Sequence, residues 1–164
     1  MKTLHVVFSF PPDPPGGTEL YVAALCRELS ALGVESVIAA PGATDARYRH
    51  DGLTVRRFGM QDGRLDLSAL YGGGDPVAAE NFDRILREER PDLLHQHALT
   101  PACSVQLVRR ARRHGVPVVF TYHTPTTTCQ RGTLLEWGTE PCDGRLDVSR
   151  CTACTLHGHG LGRG

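Results

Sequence analysis

The sequence has no excess of charge of one sign. Eighteen Lys and Arg side chains are matched by eighteen Asp and Glu side chains among 164 residues, so the formal net charge is zero. A protein that binds nucleic acid or another polyanion over a broad surface carries a basic excess. The balance of charge therefore argues against nucleic acid as a partner.

Long hydrophobic runs are also missing. The apolar run near the amino terminus covers only residues 4–8, whereas a signal peptide needs about 7–15 apolar residues and a membrane span about 18. The composition, 40% hydrophobic and 22% charged, is typical of a soluble globular chain with its own core. We therefore expect a cytoplasmic protein, in which cysteines are reduced thiols or metal ligands.

Strand and helix patterns alternate along the chain. Residues 4–10 form a β-favouring run, and a Pro- and Gly-rich loop follows that ends at Gly16 and Gly17. Apolar residues then recur at helical spacing, with Thr18 as the predicted N-cap of the helix. A second strand at 35–40 completes a βαβ unit with parallel strands.

The same alternation continues in the second half of the chain. The predicted elements are a strand at 53–58, a loop at 65–75, a helix at 78–90, a strand at 92–97, a helix at 101–114 and a strand at 116–121. This order predicts an α/β fold: a doubly wound, mostly parallel, Rossmann-like sheet with helices on both faces. We expect residues 1–123 to form this domain and residues 124–164 to be a cysteine-rich extension with a disordered tail.

The loop that contains Gly16 and Gly17 lies where open α/β sheets bind ligands. Two residues without Cβ allow a ligand to approach the backbone, and the N–H groups at the start of a helix attract an anion such as phosphate. A simple tight turn is the alternative interpretation. The loop has neither the G-x-G-x-x-G pattern of dinucleotide binding nor the G-x-x-x-x-G-K-[ST] pattern of a P-loop, which argues against a dehydrogenase and against a P-loop ATPase.

Three motifs, in order along the chain, resemble family 4 glycosyltransferases, which have the two-domain GT-B fold. They are Pro11-Pro12 with Gly16, Gly17 and Glu19; the strand Arg90-Pro91-Asp92-Leu93-Leu94-His95-Gln96-His97; and Gly115-Val116-Pro117-Val118-Val119 with Thr121-Tyr122-His123. The resemblance covers about residues 11–123 and identifies the chain as the N-terminal, acceptor-side domain of such an enzyme.

The resemblance implies a set of site residues. Gly16 and Gly17 would approach phosphate, with Glu19 and His97 in the same phosphate- or substrate-binding set. His123 would lie beside the transferred sugar as the catalytic residue.

The resemblance also implies a reaction. It is the transfer, with retention of configuration, of a sugar from a nucleotide-sugar to a sugar or lipid-linked acceptor, with no cofactor for catalysis. In the family a C-terminal domain holds the nucleotide-sugar, and this sequence ends before such a domain. We therefore expect the chain to be inactive unless a C-terminal domain, for example on a separate chain, is its partner.

The histidines allow other interpretations. His95 and His97 are two residues apart, so on one strand they point to the same face. Packing at the end of the strand is the alternative role for both, and capping of the next segment is the alternative for His123.

A group of cysteines near the carboxyl terminus is a candidate metal site. Its members are Cys129, Cys142, Cys151 and Cys154. The last two form a C-x-x-C pair that can chelate zinc, and four thiolates would complete a tetrahedral structural site. Plain reduced thiols and a disulfide are the alternatives. A zinc site of this kind would suit a second function, a stand-alone zinc-stabilised α/β binding or regulatory module. Cys26 and Cys103 fall in helical stretches and are predicted to be small core residues.

Four arginines cluster at the end of the predicted 101–114 helix, at positions 109, 110, 112 and 113. A solvated helix face is one interpretation. Contact with an anionic membrane surface that carries a lipid-linked acceptor is the other.

Overall fold

The computed structural model describes residues 1–61, 69 and 73–161. The chain forms two compact units, Met1–Thr121 and Tyr122–Gly164. Most of the predicted 65–75 loop and the last three tail residues lie outside the described residues.

Six strands and three helices are found among the described residues of the first unit. In chain order they are β1 (Lys2–Val6), α1 (Gly17–Ala31), β2 (Glu35–Gly42), β3 (Ala46–His50), β4 (Leu53–Gly59), α2 (Pro76–Glu89), β5 (Leu93–Gln96), α3 (Val105–Arg113) and β6 (Val118–Phe120). The strands form one sheet in the order β3-β4-β2-β1-β5-β6. β3 runs antiparallel to β4, and every other neighbouring pair is parallel.

Apolar side chains cover both faces of this sheet. On one face, Leu4 and Val6 of β1 pack with residues of α2 and α3, among them Phe82 and Leu107. On the other face, Val7, which follows β1, packs with residues of α1 and β2, among them Val22 and Ile38. The predicted fold class, a doubly wound and mostly parallel sheet with helices on both faces, is confirmed.

Three local features of the first unit differ from the expectation. β3 was not predicted, because its sequence has no apolar run and two of its residues are only half-buried while the rest are exposed. α3 begins at Val105, four residues later than predicted, because the Ser104 hydroxyl accepts a hydrogen bond from the N–H of Gln106 and caps the helix there. Finally, α1 begins at Gly17, one residue before the predicted N-cap Thr18.

The second unit has little regular structure. A single 3₁₀ turn (Pro125–Thr127) precedes a short antiparallel hairpin of β7 (Leu135–Glu136) and β8 (Glu140–Pro141), and α4 (Val148–Gly158) follows. The carboxylate of Asp147 caps α4 by accepting the N–H of Arg150. No side chain described in this unit is fully buried.

No helix in the described part of the chain is long and apolar enough to cross a membrane.

Candidate functional site

The glycine loop places its two glycines at the start of α1. The helix begins at Gly17 with Gly16 as its N-cap, so the predicted N-cap, Thr18, is wrong. The physical reason is the carboxylate of Glu19. Its Oε2 reaches back to accept the N–H of Gly16 at 3.0 Å, as acidic residues at the third helical position do.

The space around the two glycines differs. A Cβ at Gly16 would lie 2.9 Å from Oε2 of Glu19, whereas a Cβ at Gly17 would meet nothing within 4 Å. Both glycines are exposed and Glu19 is buried. The N–H of Gly16 is thus used inside the protein, and open space at the helix start is found next to Gly17.

Three histidines meet where β1 and β5 end. His5 of β1 and His95 of β5 are direct partners across the parallel pair, and His97 directly follows β5. The rings of His95 and His97 lie 3.9 Å apart between centroids, which confirms that they share a face. His5 Nδ1 lies 3.2 Å from His97 Nε2 in a hydrogen bond. His5 and His97 are buried, and His95 is half-buried.

Neighbouring side chains connect this cluster to the elements around it. The ring of Tyr21, the fifth residue of α1, meets the His97 ring edge to face at 6.2 Å. His95 Nε2 lies 2.7 Å from the hydroxyl of Thr121, in a hydrogen bond. The histidine cluster (His5, His95 and His97) therefore lies against the helix that begins at the glycine loop.

Burial changes the acidity of His5. Desolvation, and after it the charge of His95, lowers the pKa of His5 from 6.5 to about 4. His5 is therefore neutral at physiological pH. Sequence reasoning assigned no site role to His5, because its place opposite His95 follows from the strand register and not from a motif in the sequence.

Gln96 is a second residue that the sequence did not single out. Its side-chain amide donates to the carbonyls of Ala98 and Cys103, at 3.0 and 2.7 Å, and so holds the loop between β5 and α3. Cys103 is itself fully buried, as predicted, and so is Cys26. Burial raises the pKa of the Cys103 thiol to about 12, so it is an unreactive core residue.

The second unit holds the four predicted metal ligands around one cavity of about 390 Å³. All four, Cys129, Cys142, Cys151 and Cys154, are half-buried free thiols. The N–H of Trp137 lies 3.2 Å from Sγ of Cys154. Burial opposes ionisation of Cys129, but backbone N–H groups of residues 131–134 hydrogen-bond to its sulfur, and the net effect lowers its pKa.

The two groups of candidate metal ligands differ in spacing. One ring nitrogen from each of His5, His95 and His97 lies within 4.8 Å of the others. Among the described residues, no other three His, Cys, Asp or Glu side chains lie this close together. The four cysteines of the second unit therefore do not form such a group. The thiols match the ligand chemistry of zinc, but their sulfurs are not gathered to ligand distances.

The other predicted site residues are distributed between the two units. Gly16, Gly17, Glu19 and His97 belong to the first unit. His123 is half-buried and belongs to the second, two residues beyond the end of the first.

The arginine cluster at the end of α3 is partly engaged. Arg110 pairs with Glu80 at 3.2 Å and lies 3.8 Å from Asp83, both on α2. These ion pairs give Arg110 a role in joining α2 to α3. Arg109, Arg112 and Arg113 are exposed.

Comparison with known proteins assigns the chain to a family. Residues 16–157 match the Glycosyl transferase 4-like domain. The chain belongs to this family, and its resemblance to family 4 glycosyltransferases is confirmed.

Two solved structures share the fold at low sequence identity. Sucrose-phosphate synthase from Thermosynechococcus elongatus is 14% identical with a TM-score of 0.61, over 98% of this chain and 39% of that one. MurG from Acinetobacter baumannii is 12% identical with a TM-score of 0.50, over 82% of this chain and 39% of that one. The chain thus spans less than half the length of both. None of the curated proteins matches it.

We predict that His5 makes stability depend on pH. Its pKa is about 4 in the folded state and 6.5 in the unfolded state, so the unfolded state takes up the proton first as pH falls. The contribution of His5 to the free energy of unfolding is therefore complete above pH 6.5. We expect the free energy of unfolding to fall by about 2–3 kcal/mol between pH 7 and 4.5 because of this residue. Urea denaturation with EDTA present measures this loss.

The variant His5→Gln should show a correspondingly smaller loss of unfolding free energy over that range. His50→Gln, which changes a histidine of β3 beside Asp51, is the matched control and should keep the loss seen with the unchanged protein. Equal pH dependence of the His5→Gln variant and the unchanged protein would contradict the assignment.

Proposed function

We propose that this chain is the N-terminal, acceptor-side part of a retaining glycosyltransferase that transfers a sugar from a nucleotide-sugar to a sugar or lipid-linked acceptor. The observation that carries the proposal is the family match, which begins at Gly16 and extends over most of the chain. This match supports a role in sugar transfer for the glycine loop, where the sequence predicts phosphate binding.

The start of α1 is the proposed phosphate contact. A helix of 15 residues carries partial positive charge at its first N–H groups, and these attract a phosphate. Glu19 already accepts the N–H of Gly16, which leaves the N–H groups of Gly17 and Thr18 for an anion. The open space at Gly17 supports this role, because a phosphate oxygen must come close to the backbone to accept a hydrogen bond from it.

His123 is the proposed catalytic residue. A neutral imidazole can hydrogen-bond a hydroxyl of the transferred sugar or polarise the departing group. Its half-buried position is compatible with contact to a substrate. Glu19 acts in this proposal through the loop it caps, and His97 acts through the packing of the histidine cluster under α1.

Transfer needs more than this chain supplies. The two structural neighbours are about two and a half times as long as the portion that matches this chain. Orienting the donor and excluding water require groups on both sides of a substrate. The isolated 164-residue chain should therefore show negligible turnover, and robust turnover by it would overturn this part of the proposal.

Gly17→Ala tests the phosphate contact without disturbing the fold. A methyl group there meets no protein atom within 4 Å, and alanine is the better helix former, so the melting temperature should stay the same or rise. The same methyl group occupies the space of a bound phosphate, so affinity for inorganic pyrophosphate should fall at least about threefold, a loss of about 0.7 kcal/mol. Amide chemical shifts during a pyrophosphate titration measure the affinity.

The control is Val77→Ala, which changes an exposed residue at the start of α2. Pyrophosphate affinity should be the same in this variant as in the unchanged chain. If the Gly17→Ala variant binds pyrophosphate as tightly as the unchanged chain, the glycine loop only makes a turn.

His123→Ala tests the catalytic role in the enzyme assembled with its donor-binding domain. Loss of a group that acts on the reacting atoms should lower kcat by at least about 100-fold. His159→Ala, a change of an exposed histidine at the end of α4, should leave kcat unchanged. Unchanged transfer kinetics in the His123→Ala variant would remove His123 from the mechanism.

One observation favours a second function, a zinc-stabilised binding or regulatory module. The second unit buries none of its described side chains fully, and units this small usually need a metal or disulfides for stability. Four cysteines around one cavity could supply that stability by closing on a zinc ion.

The test replaces the C-x-x-C pair. Cys151→Ser with Cys154→Ser should remove about one equivalent of zinc from the purified chain and unfold α4. Cys26→Ser, at a buried cysteine of α1, should leave the zinc content unchanged. An equal zinc content in the Cys151/Cys154 variant and the unchanged chain would exclude a thiolate site.

A further inference from the structure

The histidine cluster is built by the register of the sheet. Parallel pairing sets His5 directly opposite His95, and alternation along β5 turns His97 to the face of His95. The N–H of His97 donates to the carbonyl of Val6 at 2.9 Å, which fixes the residue after β5 against β1. Three imidazoles are therefore held together by backbone pairing and not by flexible loops.

The spacing of their nitrogens suits a metal ion. Two nitrogens bound at about 2.0–2.1 Å to a tetrahedral zinc ion lie about 3.3 Å apart. His5 Nδ1 and His97 Nε2 are 3.2 Å apart, and a nitrogen of His95 lies within 4.8 Å of the other two ligand atoms. The three rings would have to reorient and draw closer for all three nitrogens to bind one ion.

A second observation concerns the other nitrogen of His5. Nε2 of His5 is buried and has no hydrogen-bond partner among the described residues. A buried polar group without a partner costs about 1–3 kcal/mol, so such groups are rare in proteins. His5 therefore lacks the hydrogen bonds on both ring nitrogens that a purely structural buried imidazole usually has.

We propose that His5, His95 and His97 form a binding site for one zinc ion. The donor set is three imidazoles, which suit zinc and related transition metals, whereas Mg²⁺ and Ca²⁺ prefer oxygen ligands. The ion would join β1 to β5 where both strands end, close to Tyr21 of α1. This site is separate from the cysteines of the second unit and does not depend on the proposed sugar transfer.

The experiment removes the competing thiolates and then the imidazoles. The full chain with Cys151→Ser and Cys154→Ser is stripped with EDTA and equilibrated with Zn²⁺, and bound zinc is measured. About one equivalent should remain. Adding His97→Gln should lower the bound zinc at least about tenfold, which corresponds to about 1.4 kcal/mol in binding. Adding the control substitution His50→Gln should leave it unchanged.

X-ray absorption at the zinc edge gives a readout that needs no histidine variant. The cysteine-substituted chain should show nitrogen neighbours at about 2.0–2.1 Å and none at the sulfur distance of about 2.3 Å. This result decides the question even if the His97→Gln chain does not fold. Less than about a tenth of an equivalent of zinc, a sulfur shell, or equal zinc binding by a folded His97→Gln chain would overturn the proposal. The cluster would then be three packed imidazoles, with a hydrogen bond between His5 and His97.

Discussion

β1 is hydrogen-bonded to a parallel strand on each side, and both of its faces are covered. Leu4 and Val6 contribute to one core cluster, and Val7, just after the strand, contributes to the other. A polar side chain on a strand in this position is costly unless it finds partners, because water does not reach it. It also determines which segments meet, since whatever follows β1 must lie beside whatever follows β5. The glycine loop, α1 and His97 are neighbours for this reason.

The same constraint explains why His5 is the unusual residue of the first unit. Its backbone belongs to a buried strand, and the rings of His95 and His97 lie 5.4 and 5.5 Å from its imidazole. Desolvation keeps the ring neutral, and a neutral ring can share a proton with His97 or bind a metal ion through a lone pair. Burial thus gives the cluster a ligand character that an exposed histidine would have only at higher pH.

Sequence reasoning predicted the elements whose hydrophobic pattern was strong. The apolar runs of β1, β2, β4 and β5 and the helical spacing in α1 gave the order of strands and helices and hence the fold class. β3 has no such pattern, since its sequence Ala46–His50 alternates around Tyr48 with charged residues and lies at the sheet edge. Strands of this kind form by pairing with a neighbour, and local sequence does not carry that information.

The site was predicted less completely than the fold, for a related reason. Gly16 and Gly17 could be singled out because a pair of glycines in the loop after a first strand is a local signal. The capping role of Glu19 depends on where α1 begins, and a shift of one residue there changes which side chain acts as the cap. The meeting of His5 with His95 and His97 depends on strand register across ninety residues of chain, and no spacing rule within the sequence states it.

The two units obtain their stability in different ways. A metal ion would therefore contribute differently to the stability of each unit. The first unit has two buried apolar clusters, so a metal ion at its histidines would tune a fold that already has a core. The second unit has no fully buried described side chain, so an ion there would have to supply much of the stabilisation. Cys129, Cys142, Cys151 and Cys154 line one cavity, but their sulfurs are not gathered to ligand distances, so a zinc ion there would have to draw its own ligands together. The histidines are gathered already, because the sheet and not the metal positions them.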